Sequence, residues 1–591
     1  MRKTHLAMVL AILSTGAVAQ ASPFTDTYFL GDSLTDSGQF MGQRFTTNPG
    51  KVWSQQLASQ LGTSADPSGS NGTNYAVGGA RVGEDSTTVV GGMTVPIPSV
   101  RTQLQQLRAV EGKRLDGDAL YAVWGGANDL FAITAGAPAQ ATITSAIVEH
   151  VTVVSARSQA GARYILVPNI PDLGMTPAFA GNAAAGTQLS TAYNQALYGQ
   201  LANTKANVIP LDVAGLLHEA AANPSVFGLK NVTTPACGAV SSLLCGPGNL
   251  VEKNADQTHL FADGVHPTTA GHTVLADYAA AVLMAPQQVV VLAPAANQAG
   301  IAQMHHIDRR LHNTAAMQDS RVAVWGQGAA VFGSGDALGT ELDGTGSAWM
   351  LGVDKRMGAW TAGAYLAHDN LDGQLSRGSG YEEQRLAGGL YGRWQHQNLW
   401  LNGQVYYANL DVDSHRRVQL GAAERIHHGS ADGDQYGGKV SAGMNWQQGA
   451  FTHGPVLSLS AQKATIKSLQ EQGKQSTAMS FDEQEHISIQ SGLGYQVQWA
   501  ASNAWQVYGS AQWQHEFKDV DDMVGARLNS VDNMHFELPV DTGDAKNSGV
   551  LELGVNGNIT ERWQVGAGVL AEVGDAPNAQ TSVFVNTSYR F

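Results

Sequence analysis

The sequence predicts two parts of different fold class, an α/β domain with a parallel sheet flanked by helices and then a transmembrane antiparallel β-barrel of about twelve strands. Up to about residue 285, short apolar runs alternate with helical stretches, as in parallel sheets. After Arg321, apolar and polar residues alternate with a period of two. In addition, 16 of the 19 prolines lie before residue 300 and 10 of the 12 tryptophans after it. Long regular strands exclude proline, so this split supports a change of fold class.

Composition excludes several classes of protein. The chain has 591 residues, more than the roughly 100–200 of one ordinary domain. Its formal charge of -15 argues against a nucleic-acid partner, which needs a basic face. A hydrophobic content of 43% excludes wholesale disorder, and two cysteines cannot form a disulfide-dense scaffold.

Residues 1–21 have the pattern of a secretory signal peptide. Arg2 and Lys3 precede the apolar run Leu6–Leu13, and Ala19 and Ala21 offer cleavage sites. The alternative is a buried helix that opens the chain. No later apolar run reaches the roughly 18 residues of a helical membrane span. Export would make Cys237 and Cys245 a candidate disulfide, the alternative being two buried thiols.

The α/β domain is expected from residue 22 to 286. The predicted strands are Thr27–Leu30, Ala119–Trp124, Tyr164–Val167 and Val208–Leu211. The predicted helices are Val52–Leu61, Ser99–Val110, Ile143–Gln159, Leu189–Leu201 and Thr268–Met284. Such alternation is typical of a parallel sheet with helices on both faces.

Residues 287–318 form a connecting segment. Ala293–Ala296 has the character of a linker, and Ile301, Met304, Ile307 and Leu311 follow at helical spacing. His305, His306, Asp308, Arg309 and Arg310 lie between them, so this predicted helix is polar over most of its surface. An ordinary surface linker helix is the alternative interpretation.

Residues 319–591 are expected to form the barrel. In Leu399–Tyr407 and Val550–Ile559 one face is apolar and the other is largely polar, in segments of roughly the ten residues a tilted strand needs to cross a bilayer. Aromatic residues near segment ends would form interfacial girdles, among them Trp349, Trp360, Trp394, Trp505 and Trp563. The alternative, a soluble β-sandwich or propeller, has shorter strands and regular turns, whereas Asp411–Asp434 and Lys518–Ser548 are predicted to be long polar connections.

This C-terminal region resembles the translocator barrel of autotransporters, outer-membrane proteins that end in an aromatic residue, here Phe591. In that family a helix before the barrel occupies its lumen. The resemblance implies the same place for the helix around Ile301–Gln318.

The candidate nucleophile lies in Phe29-Leu30-Gly31-Asp32-Ser33-Leu34-Thr35-Asp36-Ser37-Gly38. A strand ends, a glycine turn follows, and Ser33 is placed where a helix would begin, so its Oγ would lie at the carboxyl edge of the sheet. Because Thr35 replaces the second glycine, this is not a G-x-S-x-G elbow. A helix-capping serine is the alternative.

A serine nucleophile needs a base, and the base needs an orienting group. Phe261-Ala262-Asp263-Gly264-Val265-His266-Pro267 supplies both, because residues three apart on one short turn can meet through their side chains. Asp263 would hold the tautomer of His266 while the other ring nitrogen faces Ser33. The alternative is an aspartate that caps the following helix, beside a surface histidine.

Two glycine-containing blocks can supply donors for an oxyanion. These are Asn74-Tyr75-Ala76-Val77-Gly78-Gly79-Ala80-Arg81 and Gly125-Gly126-Ala127-Asn128-Asp129, the second directly after a predicted strand. With the Ser33 N–H, a glycine N–H and the Asn128 amide would make three donors. Either block could instead be a plain glycine turn.

In this order the four blocks resemble the GDSL/SGNH hydrolase family over about residues 24–285. The resemblance implies that Ser33 is the nucleophile, His266 the base and Asp263 its partner. It also implies an oxyanion hole made of Ser33, Gly79 and Asn128, with Gly79 chosen over Gly78 because it is the sixth residue of its block. No cofactor and no metal are expected, since such a triad generates its own nucleophile.

Together, both resemblances imply an autotransporter esterase, anchored in the outer membrane of a Gram-negative bacterium with its passenger domain on the cell surface. The expected partners are an ester or lipid substrate, outer-membrane lipid and, by the family, the barrel assembly machinery, and the chain is expected to be a monomer. The alternatives are a surface polysaccharide deacetylase, a non-catalytic surface adhesin with the same architecture, and a nutrient channel with a periplasmic appendage.

Overall fold

The computed structural model describes residues 22–591 except 91–92, 315–320, 338–339, 520–522, 541–545 and 575–578. The predicted signal peptide, residues 1–21, lies outside the described residues. The N-terminal domain is built on a four-stranded parallel sheet in the order β1-β4-β5-β6, and a separate hairpin pairs β2 with β3. These strands are β1 (Thr27–Gly31), β2 (Ser86–Val90), β3 (Met93–Ile97), β4 (Leu120–Trp124), β5 (Tyr164–Pro168) and β6 (Val208–Leu211). The four sheet strands are buried along their whole length.

Helices flank this sheet, and every predicted strand and helix of the domain is present, with bounds shifted by a few residues. The hairpin was not predicted from the sequence, nor were the helices Ala127–Thr134, Val213–Ala222, Ala255–Thr258 and Pro286–Val289. The helices are α1 (Trp53–Gln60), α2 (Val100–Glu111), α3 (Ala127–Thr134), α4 (Ala139–Gln159), α5 (Ala183–Leu201), α6 (Val213–Ala222), α7 (Ala255–Thr258), α8 (Thr269–Leu283), α9 (Pro286–Val289) and α10 (Leu292–Thr314).

The C-terminal region is a closed antiparallel barrel, in which β23 pairs with β7 to complete the circle. Among the described residues, twelve long strands form its wall and five short strands belong to extensions at one end or to a turn at the other, which confirms the predicted fold class. The long strands are β7 (Val322–Ala337), β8 (Thr340–Met357), β9 (Trp360–Leu375), β10 (Gly380–His396), β11 (Leu399–Leu420), β12 (Ala423–Met444), β14 (Phe451–Ile466), β17 (Gln484–Ala500), β18 (Trp505–Glu516), β21 (Asn547–Asn558), β22 (Trp563–Gly574) and β23 (Ala579–Arg590). The short strands are β13 (Trp446–Gln448), β15 (Leu469–Glu471), β16 (Met479–Phe481), β19 (Met523–Leu528) and β20 (Phe536–Pro539).

Side chains alternate across the barrel wall as predicted. In β11, Leu399 is 48% exposed on the outside, whereas Trp400 is 2% exposed on the inside, and the alternation continues along the strand. Trp360, Trp505 and Trp563 begin their strands beside short turns, as a girdle requires. Trp349 does not fit this prediction, because it lies inside β8 rather than at its end.

The prediction of a long polar connection at Asp411–Asp434 is wrong. β11 and β12 are each 22 residues long and pair without a break as far as Leu420 and Ala423, so the hairpin extends well past the rest of the barrel. Lys518–Ser548 is likewise not a plain loop, since it contains the paired strands β19 and β20. These extensions lie at the end of the barrel that contacts the N-terminal domain.

The helix α10 lies in the barrel lumen, as the resemblance implied. Arg310 donates to both oxygens of Asp354 on β8, at 2.8 and 3.1 Å, and Lys439 of β12 pairs with Asp308 at 3.1 Å. The lumen is not uniformly polar, however. The apolar stripe of the helix packs against apolar and aromatic side chains of the wall, the helix members being Ile301, Met304, Ile307 and Leu311.

Ala293–Ala296 is not a linker, because it forms the first turns of α10. This segment and the preceding Val289–Leu292 are buried in one apolar core that joins the N-terminal domain to the inside of the extended barrel end. Within the described ranges no single helix is long and apolar enough to cross a bilayer, and only the bent pair of α8 with α9–α10 meets that criterion jointly.

Candidate active site

Ser33 lies in the loop that follows β1, at the carboxyl edge of the parallel sheet. Gly31, the last residue of β1, allows this loop to pass close to β4, because a Cβ there would lie 2.5 Å from the Trp124 carbonyl oxygen. The Gln103 side chain of α2 holds the backbone of Gly31 on both sides, accepting from its N–H and donating to its carbonyl oxygen, both at 2.9 Å. The loop is therefore fixed where it leaves the sheet.

The prediction that Ser33 begins a helix is wrong. A single turn forms, in which Thr35 and Asp36 N–H both donate to the Asp32 carbonyl at 3.0 Å, and the first helix starts only at Trp53. Gly38 has a φ of +124°, which ends any continuation of that turn. Ser33 is thus held by turn hydrogen bonds rather than by a helix terminus.

His266 lies between Ser33 and Asp263. Its Nε2 is 2.9 Å from Ser33 Oγ, and its Nδ1 is 2.9 Å from each carboxylate oxygen of Asp263. Because a carboxylate only accepts, the ring proton lies on Nδ1, which leaves Nε2 free to accept from the serine hydroxyl. The structure thus brings together three side chains from opposite ends of the domain's sequence, in the spatial order that a nucleophile, its base and an orienting group require.

A tight turn presents Asp263 and His266. Ala262 N–H donates to the His266 carbonyl at 2.7 Å, and Asp263 Oδ1 accepts from the N–H groups of Val265 and His266 at 3.0 and 2.9 Å. Asp263 does not cap the helix that follows, because Thr268 performs that role by accepting from Gly271 N–H. The Asp263 carboxylate therefore binds its own turn and the imidazole, and it does not bind the helix that follows.

The surroundings favour the ionised form of Asp263. Burial raises the pKa of its carboxyl, but the hydrogen bond and charge of His266, together with hydrogen bonds from Ser242 and Val265, outweigh it, so the pKa is held well below its usual value. The Ser242 contact, at 2.8 Å, and the ring of Phe45, 5.1 Å from the imidazole centroid, were not predicted from the sequence. No local pattern marks them, since each comes from a distant loop.

Of the predicted oxyanion donors, Asn128 lines the same cavity as Ser33, and Gly79 follows the glycine whose N–H is bound to the serine loop. Gly79 has a φ of +84°, and neither its N–H nor that of Ser33 has an acceptor among the described residues. Gly78 N–H is instead bonded to Asp36 Oδ2 at 2.9 Å, which supports the choice of Gly79 over Gly78. Asn128 begins α3 beside Ala127, and its Nδ2 donates to Ala80 O at 3.0 Å and lies 3.4 Å from Asp32 Oδ2.

Asp36 is a positioning residue that sequence reasoning missed. Its carboxylate accepts from Gly38, Gln39 and Gly78 N–H, all within 2.9 Å, so it ties the serine loop to the glycine block. Burial is the largest influence on this group and raises its pKa to about 6, although the three N–H donors oppose the shift. Asp36 belongs to the same sequence block as Ser33, and this position three residues after the serine was the signal that could have identified it.

An apolar cavity of about 70 Å³ opens beside the triad, several times the ~10–15 Å³ that one water needs. Ser33, Asn128 and His266 belong to its lining. The rest is mostly apolar and comes from several elements, with α6 and α8 contributing a large share and Trp124, Phe131 and Leu173 among the others. Depressions of this kind, apolar with a few convergent polar groups, are the usual form of small-molecule sites.

The structure joins Cys237 and Cys245 as a disulfide, with Cα atoms 5.9 Å apart. The loop that it closes contains Ser242, the residue whose N–H binds Asp263. Asn48 N–H donates to the Cys245 carbonyl at 2.8 Å, which ties the same loop to the segment carrying Phe45. The disulfide thus supports the turn that presents the base.

Two family models match the chain. Residues 28–279 match GDSL-like Lipase/Acylhydrolase, and residues 324–569 match the Autotransporter beta-domain. Among solved structures, the translocator domain of autotransporter NalP from Neisseria meningitidis is 16% identical with a TM-score of 0.42, covering 51% of this chain and 100% of that chain.

Three curated relatives align over nearly the whole length. The uncharacterized protein in trpE-trpG intergenic region of Pseudomonas putida is 30% identical over 580 residues, which is 90% of this chain and 95% of the relative. Esterase EstA of Pseudomonas aeruginosa is 29% identical over 90% of both chains, and Lipase 1 of Photorhabdus luminescens is 25% identical over 98% of both. The chain therefore belongs to the GDSL-like lipases and acylhydrolases that carry their own autotransporter β-domain, and it is a GDSL hydrolase of the outer membrane.

Proposed function

We propose that this protein hydrolyses carboxylic esters through an acyl-serine intermediate formed on Ser33. The observation that carries the proposal is the unbroken chain from Ser33 Oγ to His266 Nε2 and from His266 Nδ1 to Asp263, each step 2.9 Å long. Proton transfer requires this distance and this order of groups. The low pKa of Asp263 keeps the orienting group ionised at neutral pH.

In the first half-reaction, Ser33 Oγ bonds to the ester carbonyl carbon while its proton passes to His266 Nε2. The negative charge on the carbonyl oxygen is stabilised by Ser33 N–H, Gly79 N–H and the Asn128 amide. When the carbon–alkoxide bond breaks, His266 returns the proton to the leaving alcohol. In the second half, His266 deprotonates water, which attacks the acyl-serine, and the proton returns to Ser33 Oγ as the carboxylic acid leaves.

The decisive experiment compares Ser33→Ala with Ser37→Ala in the full-length protein. Ser37 lies in the same loop, is 1% exposed, and its Oγ has no hydrogen-bond partner among the described residues. Ser33→Ala should abolish cleavage of p-nitrophenyl butyrate and labelling by a fluorophosphonate, while Ser37→Ala should retain both. Turnover near the wild-type level in Ser33→Ala would refute the mechanism.

The proposal includes display of the N-terminal domain on the cell surface. It is supported by the barrel with its lumenal helix, whose N-terminal end leads directly into the N-terminal domain. A membrane-impermeant amine reagent should label Lys51 and Lys113, two exposed lysines of that domain, on intact cells. Labelling that occurs only after the outer membrane is permeabilised would contradict this orientation.

A further inference from the structure

Helices α6 and α8 both contribute side chains to the lining of the cavity beside Ser33. Val213 and Ala220, both in its lining, are seven residues apart on α6, or about 10 Å along the helix axis. α8 begins three residues after His266, so the base and this wall of the cavity belong to one continuous stretch of chain. The cavity lining from the two helices includes Val213, Leu216, Leu217, Ala220, Gly271 and Val274.

Polar and apolar groups are separated within the cavity. Most of its polar lining, including Asn128 and His266, belongs to the reaction centre around Ser33. The portions contributed by α6 and α8 are apolar. An ester of an apolar acid has the same division, with a polar carbonyl next to a hydrocarbon chain. An acetyl group would leave most of this apolar surface unoccupied.

The extended end of the barrel contacts both helices. Glu219 of α6 accepts from Ser476 N–H at 2.7 Å and from its hydroxyl at 2.9 Å, and it pairs with Arg425 of β12 at 2.6 Å. Asp277 of α8 accepts from Gly421 N–H at 2.8 Å. Gly421 lies in the β11–β12 turn, where a Cβ would come within 3.0 Å of Val274, a residue that lines the cavity.

We infer that this cavity binds the acyl chain of the ester and that the outer loops of the barrel fix its wall. The inference rests on the proposed function, since it assumes that the acyl carbonyl is attacked by Ser33. Its consequence is that selectivity for acyl-chain length depends on contacts outside the hydrolase domain. Each methylene buried in such a site is worth about 0.8 kcal/mol, or roughly fourfold in kcat/KM.

The first test uses p-nitrophenyl esters from acetate to caprate on the full-length protein. Ala220→Leu adds three carbon atoms at the cavity end of α6 and should lower the ratio of kcat/KM for caprylate to that for acetate by roughly 60-fold, if three methylenes are excluded at about fourfold each. Ala222→Leu makes the same change at an exposed position of the same helix and should leave the ratio unaltered.

A second variant covers the possibility that Ala220→Leu does not fold. Leu217→Ala removes side-chain atoms from the same wall and should move the preferred chain length upward. An unchanged chain-length profile in Leu217→Ala would overturn the assignment of the cavity. The proposed function would stand in that case, provided that hydrolysis still required Ser33.

The part played by the barrel is tested with Glu219→Ala, which removes the α6 contacts to Ser476 and Arg425. We expect the caprylate-to-acetate ratio to fall at least fourfold, because the wall of α6 is no longer held against the chain. Glu111→Ala, at an exposed position at the end of α2, is the control. A ratio equal to that of the wild type would show that the barrel does not shape the cavity.

Discussion

Replacing Asp263 with asparagine tests how the base is oriented. In the native site, Asp263 Oδ1 accepts two backbone N–H groups, Oδ2 accepts Ser242 N–H, and both oxygens are 2.9 Å from His266 Nδ1. A carboxamide keeps the two backbone bonds only if its oxygen replaces Oδ1, which puts its NH₂ group against Ser242 N–H and His266 Nδ1. Nδ1 must then accept, so the ring proton moves to Nε2.

That change removes the acceptor for the Ser33 proton. A base held in the wrong tautomer loses about 10⁴ in kcat, which corresponds to about 5.5 kcal/mol of transition-state stabilisation. We therefore expect Asp263→Asn to lower kcat for p-nitrophenyl butyrate by 10³–10⁴ (order of magnitude) with little change in KM. Stopped-flow measurement on the detergent-solubilised full chain gives kcat and KM separately.

Asp256→Asn, on the nearby α7, is the matched control and should behave as the wild type. The unfolding temperature of each variant is recorded by tryptophan fluorescence, so that loss of folding is recognised. A loss of less than tenfold in a folded Asp263→Asn protein would mean that His266 is oriented without its aspartate. The reasoning about the tautomer would then be wrong.

Three further predictions follow from the site and its supports. Asn128→Ala should lower kcat for p-nitrophenyl butyrate by about 10²–10³, because one oxyanion donor is lost. Asn203→Ala, at an exposed position, is the control, and an unchanged kcat in Asn128→Ala would exclude Asn128 from the oxyanion hole. Replacing both Cys237 and Cys245 with alanine opens a short loop and should lower the free energy of unfolding of the domain by about 2–3 kcal/mol. It should also lower kcat, because the loop that carries Ser242 is no longer closed. Urea unfolding measures the stability, and a variant as stable as the wild type would contradict the prediction. Burial lowers the pKa of His150 to about 4 and of His272 to about 3, both below the unfolded value near 6.5. The contribution of these neutral histidines to the free energy of unfolding is therefore present above pH 6.5 and is lost as the pH falls. At pH 5 the loss is about 4 kcal/mol for both groups together. The raised pKa of Asp36 acts in the opposite direction over the same range, so the contribution of His272 is measured as the difference in urea midpoint between the wild type and His272→Gln from pH 7 to 5. The wild type should lose more stability than His272→Gln as the pH falls, and a difference that does not change with pH would refute the prediction.

The sequence contained enough information for the sheet, the barrel and the triad, because each leaves a local pattern. Buried parallel strands are short apolar runs, and membrane strands alternate in polarity. The boundaries of the barrel strands were harder to predict. Where β11 and β12 extend beyond the bilayer, their outer faces contact water and need not be apolar. The alternation of apolar and polar residues therefore ends at Asp411, although the strand continues to Leu420.

Two other errors have equally local causes. The segment Ala293–Ala296, predicted as a linker, contains Pro294. This proline lies at the third position of α10, where its missing N–H costs no hydrogen bond, so the helix can include it. The apolar residues of α6 gave no sign of a cavity, because Leu216 and Leu217 have the same pattern whether they fill a core or line a space within it. Which of these occurs depends on the volumes that meet in three dimensions.

The separation of Ser33 and His266 along the chain has a consequence for the timing of activity. The two residues are 233 positions apart, and they meet only when the loop after β1 and the turn before α8 have both taken their places at the sheet edge. A domain with either end unfolded has no imidazole beside Ser33. Under the proposed function, the onset of ester hydrolysis would therefore mark the completed folding of this domain, and a partly folded chain would be inactive.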